Sequence, residues 1–337
     1  MEALKILKKA GNTDLDINLE KNLVVSPSPH ITGTSSTSKI MRDVIIALSP
    51  AAAAGIYYFG YRAALVIAVT VAACILSEYI SCKVLKKANT VSDLSAVVTG
   101  ILLALNLTPS IPLWIAAVGG VVAIVIVKQV FGGIGQNFMN PALAARVIMI
   151  VSWPEAMTRW IDPGTDAVSA ATPLAIIKKG AEITEAARPV YFDLFIGNIA
   201  GCIGETSVAA LLAGGIYLLI RKVISYEIPL TYIGTVALMT WVLGGGTLFS
   251  GDFIYHILGG GLFIGAFFMA TDYTTSPITY KGRLIMGVGC GLLTSLIRLY
   301  TGYPEGVSFS ILIMNITVPL IDRYTIPVPF GGSKRSA

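Results

Sequence analysis

Ten apolar stretches, each close to the length of a bilayer crossing, leave this chain little choice of fold. They lie near 43–61, 63–82, 94–110, 113–130, 140–153, 201–220, 228–246, 253–271, 283–300 and 307–323. A transmembrane helix needs about 20 mostly apolar residues to cross a hydrocarbon layer of roughly 30 Å. The fifth stretch is short, and a partly re-entrant segment there would make the count nine. Charged residues are 13% of the chain, about half the ~25% of a soluble domain. The expected class is therefore an all-α polytopic membrane protein. The formal net charge of +5 follows the loops instead of forming one patch, so nucleic acid is not an expected partner. The first 40 residues are polar and lack the apolar core of a signal peptide, so they read as a soluble tail.

Orientation follows from the placement of cations, because cytoplasmic loops carry the excess of Lys and Arg. With the N-terminus inside, the tail, the loops at 82–93, 128–140, 221–227 and 271–283, and the C-terminus hold 17 of them. The other side holds six: Arg62, Arg159, Lys178, Lys179, Arg188 and Arg298; Arg146 falls inside the fifth stretch. Both termini are thus expected in the cytoplasm, with the long loop at 154–192 outside. The division that results is a tail at 1–42, a five-helix unit at 43–153, the outer loop at 154–192, a second five-helix unit at 193–323 and a tail at 324–337.

The two units echo each other. "QNFMNPALAARV" (136–147) closes the first and "ILIMNITVPLIDRY" (311–324) closes the second. An odd number of spans per unit makes the repeats inverted, an arrangement that builds a central site between them. Glycine runs such as "FGGIGQN", "GNIAGCIGE", "LGGGTLFSG" and "ILGGGLFIG" interrupt the spans, where they serve close helix packing or leave room for a flat ring.

Ionisable groups at membrane depth are costly and mark candidate sites. They are Glu78, Arg146, Glu205, His256, Asp272 and Asp322. Glu78 reads as a helix-end residue near Lys83. Arg146 reads as a cap on carbonyls or a partner for a phosphate or flavin oxygen. Glu205, followed by Thr206 in "GETS", reads as an acid at a helix N-terminus. His256 reads as a satisfied core histidine. Asp272 and Asp322 sit at cytoplasmic helix ends, where an ion path and ordinary solvation are both open. Cys74, Cys82, Cys202 and Cys290 are scattered singly and read as small core residues. No metal-ligand spacing, Walker A loop or serine triad is present, and the glycine runs do not follow strands.

Five blocks carry a resemblance that spans nearly everything from "SPSPHI" (26–31) onward: "FGGIGQNFMNPALAARV", "DAVSAATPL", "GNIAGCIGETSVAALLAGG", "ATDYTTSPITYKGR" and "SILIMNITVPLIDR". In this order they resemble a family of membrane flavoproteins. That family includes subunits of the Rnf ion-translocating ferredoxin:NAD oxidoreductase complex and a homologous membrane subunit of the sodium-pumping NADH:quinone oxidoreductase. The short N-terminal tail is closer to the Rnf members. The resemblance implies FMN joined by a phosphoester to the threonine that ends "DAVSAAT", here Thr172, by a dedicated flavin transferase. Asp166 opens that motif, Ala171 and Pro173 flank the threonine, and Ser169 is the fallback acceptor. Glycines common in the family are replaced here by Ala167 and Ala170.

The resemblance also implies a non-covalent riboflavin between the helical repeats, with Asn137 and Asn140 facing its ring edge; helix capping is the other reading of these amides. Arg146, Glu205 and Thr206 complete the expected cofactor-binding set, and Asp272 and Asp322 the ion path. The implied role is that of an electron relay in the inner membrane of a prokaryote, coupled to sodium or proton movement. Its implied partners are the other Rnf subunits, a second FMN-bearing subunit among them. A cofactor-free ten-helix carrier or channel remains the rival from the architecture alone.

Overall fold

The computed structural model describes residues 36–163, 172–178, 189–302 and 306–327. The chain divides at Ser36, and the unit that begins at Thr37 carries every helix named below. A helix stands in each of the ten expected stretches, and among the described residues none forms a strand. The first five are α1 (Thr37–Phe59), α2 (Tyr61–Val84), α3 (Ser95–Leu105), α4 (Leu113–Gln129) and α5 (Pro141–Ser152). After a single turn at Pro154–Met157 come two short helices, α6 (Pro173–Lys178) and α7 (Tyr191–Ile196). Then come α8 (Val208–Ile220), α9 (Glu227–Leu243), α10 (Phe253–Leu258) and α11 (Leu262–Ile264). The chain ends in α12 (Tyr280–Tyr300) and α13 (Val307–Thr325).

Length separates these helices into two kinds. Four of them (α1, α2, α12 and α13) are long and apolar enough to cross a bilayer. Five others (α3, α4, α5, α8 and α9) are apolar but shorter, and the chain is a polytopic membrane protein. The 11 residues of α3 rise only about 16 Å at 1.5 Å per residue, roughly half the hydrocarbon thickness. Ten apolar stretches therefore do not become ten full-length helices. The eighth stretch is interrupted outright, with α10 ending at Leu258 and α11 starting at Leu262.

Irregular backbone at membrane depth survives only when protein buries it and satisfies its amides. Two such segments, 106–112 and 197–207, are buried almost throughout and bond to each other. The Ile203 N–H donates to the Leu107 carbonyl at 3.0 Å and the Gly204 N–H to the Leu105 carbonyl at 2.8 Å. Only glycine fits at 204, because a Cβ there would overlap the Leu105 side chain. Between the two segments lies Arg146, 3% exposed. Its guanidinium donates to Asn106 Oδ1 at 3.1 Å, Ser308 Oγ at 2.9 Å and Cys202 Sγ at 3.3 Å. It thereby ties α5 to both breaks and to the start of α13.

Packing pairs the two halves. α1 lies on α8, and α5 lies on α13. Contacts within the first half have counterparts in the second: α2 with α4 matches α9 with α12, and α4 with α5 matches α12 with α13. The repeated Met-Asn pairs meet at the α5–α13 crossing. With its amide oriented to satisfy both groups, Asn315 accepts from the Asn140 N–H at 3.1 Å and donates to the Thr275 carbonyl at 3.1 Å. At the α1–α8 crossing the backbones touch, and a Cβ on Gly214 would overlap the Ala47 carbonyl oxygen. Overpacking of this kind costs about 1–3 kcal/mol, occasionally more. Gly214→Val should therefore lower the thermal midpoint of the purified protein in detergent, whereas Gly234→Ala, with open space around it, should leave it within a degree or two.

Candidate functional site

One end of the bundle gathers a cavity of about 380 Å³, within the roughly 300–1,000 Å³ of small-ligand sites. Its walls come from the start of α1, from α3, from the loop 134–142, from the end of α8 and from the segment 267–274. All of these stretches fall at the end expected to face the cytoplasm. The apolar wall includes Ile40, Val44, Val98, Leu102, Phe267 and Phe268. The polar wall includes Ser95, Thr99, Asn137, Thr271, Asp272 and Thr274.

Two π-helical segments shape this cavity. The last eight residues of α4, Val122–Gln129, are π-wound, and so is the continuation of α11 through Gly265–Met269. The i→i−5 bonds are visible in Val130 N–H to Val125 O at 3.1 Å and Ala270 N–H to Gly265 O at 2.8 Å. Winding of this kind concentrates at functional positions, because it turns side chains away from the regular helical register. One segment ends beside the cavity with Lys128; the other presents Phe267 and Phe268 to it.

Lys128 is the residue that the charge pattern misassigned. It counts as a cytoplasmic loop cation in the sequence, yet it is 3% exposed and pairs with fully buried Glu78 at 2.8 Å. Glu78 is thus the ion-pair partner of Lys128, not of Lys83. Its carboxylate also accepts from the Thr90 hydroxyl at 2.5 Å and from Gln129 Nε2 at 3.3 Å, while Lys128 donates to Ser95 Oγ at 2.6 Å. Arg298, counted on the outer side, is likewise buried, and donates to the carbonyls of His256, Gly259 and Gly260. One cation is removed from each side of the count, and the imbalance persists.

The two asparagines have different duties. Asn140 Oδ1 caps α5 by accepting from the Ala142 and Leu143 N–H groups at 3.0 and 3.3 Å, and Nδ2 donates to the Met269 carbonyl at 3.3 Å. Pro141 at the first helical position favours this start. Capping is thus what Asn140 does, although it also lines the cavity. Asn137 Nδ2 donates to Thr274 Oγ1 at 3.2 Å, and its Oδ1 is buried with no hydrogen-bond partner. A buried amide oxygen left unpaired costs about 1–3 kcal/mol, which a donor on a bound ligand would recover. The residues present fit a flat aromatic ring carrying an N–H edge.

Asp272 stands on the cavity wall and Asp322 at the other end of the same connection. The Asp272 carboxylate accepts from Thr274 Oγ1 at 3.0 Å and Thr275 Oγ1 at 3.4 Å. Burial raises its pKa above the ordinary carboxylate value, and these hydrogen bonds oppose the rise. Asp322 Oδ1 accepts from the Ile278 N–H at 3.2 Å.

Thr172 and Pro173 lie apart from this cavity, at the head of α6. Thr172 is 5% exposed, and its Oγ1 accepts from the Ala175 N–H at 3.3 Å. That bond uses the oxygen as an acceptor, a role that an ester oxygen would keep. Leu174 packs against the break at Gly259 and Gly260, directly beside Arg298. Asp166, Ser169 and Ala171 lie outside the described residues.

Glu205 does not open α8. Ser207 is the cap, with Oγ accepting from the Ala210 N–H at 3.3 Å, while Glu205 Oε1 accepts from the Cys202 N–H at 3.2 Å. The Thr206 hydroxyl and His256 Nδ1 are buried without hydrogen-bond partners, so His256 is a core residue but not a satisfied one. All four cysteines are buried as thiols.

The Glu78–Lys128 pair makes a direct test of this geometry. Removing one member of a buried ion pair costs about 3–5 kcal/mol, whereas replacing both with apolar groups is often neutral. Lys128→Met should lower the thermal midpoint sharply, and the double variant Lys128→Met/Glu78→Leu should recover most of the loss.

Comparison with known proteins gives four consistent findings. A family profile described as "NQR2, RnfD, RnfE family" matches residues 24–331. The chain is 51% identical over 318 residues to the D subunit of the Na(+)-translocating ferredoxin:NAD(+) oxidoreductase complex of Acetobacterium woodii, covering 94% of this chain and 97% of that one. It is 47% identical to the proton-translocating counterpart of Clostridium ljungdahlii, over 94% and 98%, and 36% identical to the D subunit of the ion-translocating oxidoreductase complex of Escherichia coli, over 92% and 99%.

Proposed function

The chain belongs to the NQR2, RnfD, RnfE family, and from that premise we propose that it is the D-type membrane subunit of an ion-translocating ferredoxin:NAD oxidoreductase complex. The observation that carries this reading is near-complete coverage, at about half identity, of relatives that bear that description. The Acetobacterium and Clostridium relatives differ in the ion, sodium in one and proton in the other, so the coupling ion of this chain is left open between them.

In this reading the subunit spans the inner membrane as two inverted five-helix repeats, with both termini cytoplasmic and the loop 154–192 outside. Flavins supply its redox chemistry by accepting and releasing electrons one or two at a time. FMN is carried on Thr172, set there by a flavin transferase, and riboflavin occupies the cavity beside Asn137. The protein supplies fixed positions. α6 holds Thr172 against the α10–α11 break through Leu174. Phe267 and Phe268 contribute aromatic wall, and Asn137 Oδ1 offers an acceptor. Asp272 and Asp322 mark the ion route. A carboxylate beside a low-dielectric cavity responds strongly to charge arriving there, which is the physical requirement for coupling. The other subunits, including the second FMN-bearing one, deliver and remove the electrons.

Two measurements test this. Thr172→Ala, produced with the transferase, should lose all flavin fluorescence from the denatured polypeptide, and mass spectrometry of the Asp166–Lys178 peptide should place the FMN adduct on Thr172 in the parent protein. A bare Thr172, or an adduct on Ser169, would contradict the assignment. Asp322→Asn and Asp272→Asn should lower the ions moved per electron pair in proteoliposomes. Normal stoichiometry in both would remove these carboxylates from the route.

A further inference from the structure

A site that holds a phosphorylated cofactor ordinarily meets the phosphate with Arg, Lys or clustered backbone N–H groups. The cavity between α1, α3 and the π segments is arranged the other way. Two of its lining side chains among the described residues bear charge, Lys128 and Asp272. Lys128 is matched by Glu78 at 2.8 Å. Two further cations toward this end are paired with acids: Arg221 lies 3.2 Å from Asp43, and Arg283 lies 4.0 Å from Glu227. The remaining formal charge on the wall is the Asp272 carboxylate, half-buried and held in place by Thr274 and Thr275. The rest of the polar wall includes hydroxyls, from Thr37, Ser95, Thr99, Thr271 and Thr274, and the Asn137 and Asn140 amides.

We propose that Asp272 sets the ligand class of this cavity, admitting a flavin whose side chain ends in an alcohol and rejecting one whose side chain ends in a phosphate. The proposal rests on the reading of the cavity as a flavin site. Riboflavin and FMN share one ring, so contacts from Asn137, Phe267 and Phe268 are the same for both. Discrimination has to come from the far end of the side chain. A terminal alcohol donates a hydrogen bond to a carboxylate, whereas a phosphate carrying about two negative charges has none to give at neutral pH. Unit charges of like sign at about 4 Å repel strongly wherever the local dielectric is below that of water. A repulsive element aimed at the wrong ligand is a common source of specificity.

The same carboxylate would keep the two flavins of this subunit in separate places. The FMN group reaches Thr172 from a flavin dinucleotide, whose P–O–P bond breaks to release the nucleotide monophosphate as the Thr172 Oγ1–P bond forms; the cavity is closed to free FMN by charge. The assignment of cofactors is thereby written into one side chain as well as into the transferase's choice of loop.

The test reads flavin identity, not turnover. The whole complex is purified as parent, Asp272→Asn, Asp272→Ser and Asp272→Glu, then equilibrated with equal riboflavin and FMN. Acid precipitation leaves covalent FMN on the polypeptide and releases the rest for chromatography. Flavin from this cavity is the part lost in Val98→Trp, whose added ring fills the space beside α3. The parent and Asp272→Glu should release riboflavin from this cavity, and Asp272→Asn or Asp272→Ser should raise its ratio of FMN to riboflavin at least tenfold. Riboflavin alone in both uncharged variants would overturn the proposal, and so would FMN entry into Asp272→Glu or loss of all cavity flavin from Asn and Ser alike. If Val98→Trp changes nothing in the released flavin of the parent, the flavin-site reading itself fails, a result distinct from the others.

Discussion

A single guanidinium holds the centre of this bundle. Arg146 reaches from α5 to the polar atoms of two broken segments and of α13, and without such a partner neither break would be tolerable at membrane depth. Each break leaves carbonyls and amides that lipid cannot satisfy. They are answered within the protein: by the Ile203–Leu107 and Gly204–Leu105 backbone bonds, by Arg146, and, at the third break, by Arg298 on the carbonyls of Gly259 and Gly260. Buried arginine is suited to this work because five donors spread over one rigid plane and the charge persists at any working pH.

The breaks also explain where a ligand can go. Helices packed backbone to backbone through glycines, as α1 packs on α8 at Gly214, leave no space between them. Short helices end inside the bundle, and their ends open a gap. α3, the π-wound end of α4, the loop before α5 and the π-wound end of α11 all terminate around the same cavity. Its polar side is nearly self-satisfied: Asn140 is committed to capping and Lys128 to Glu78. Asn137 Oδ1 is the exception, and an unpaired acceptor on an apolar, aromatic-walled slot is what a ring with N–H donors requires.

Much of this was legible in the residues and some was not. Apolar run length located all ten helical stretches, because a bilayer imposes a length on everything that crosses it. The same signal overstated their regularity, since the buried irregular segments at 106–112 and 197–207 are small and apolar and look like helix in composition. Asn-Pro at 140–141 announced a helix start, and the two Met-Asn motifs turn out to touch through Asn140 and Asn315. The π winding left no compositional trace, because it changes hydrogen-bond register and not residue type. Lys128 and Glu78 are 50 residues apart, and a lysine at the end of an apolar run reads as a loop charge until its partner is seen. Thr172 was singled out by resemblance alone; nothing in its own chemistry distinguishes it from other threonines beside a proline.

Everything proposed for the cavity depends on its being a cofactor chamber and not a packing defect or a lipid seat. An electron-microscopy density map of the intact complex, at a resolution that shows side-chain shape, decides this most directly. The expected result is a flat tricyclic density beside Phe267 and Phe268, with a ring edge within hydrogen-bonding distance of Asn137. Acyl-chain density filling the same space, or side chains collapsed into it, would contradict the cofactor assignment.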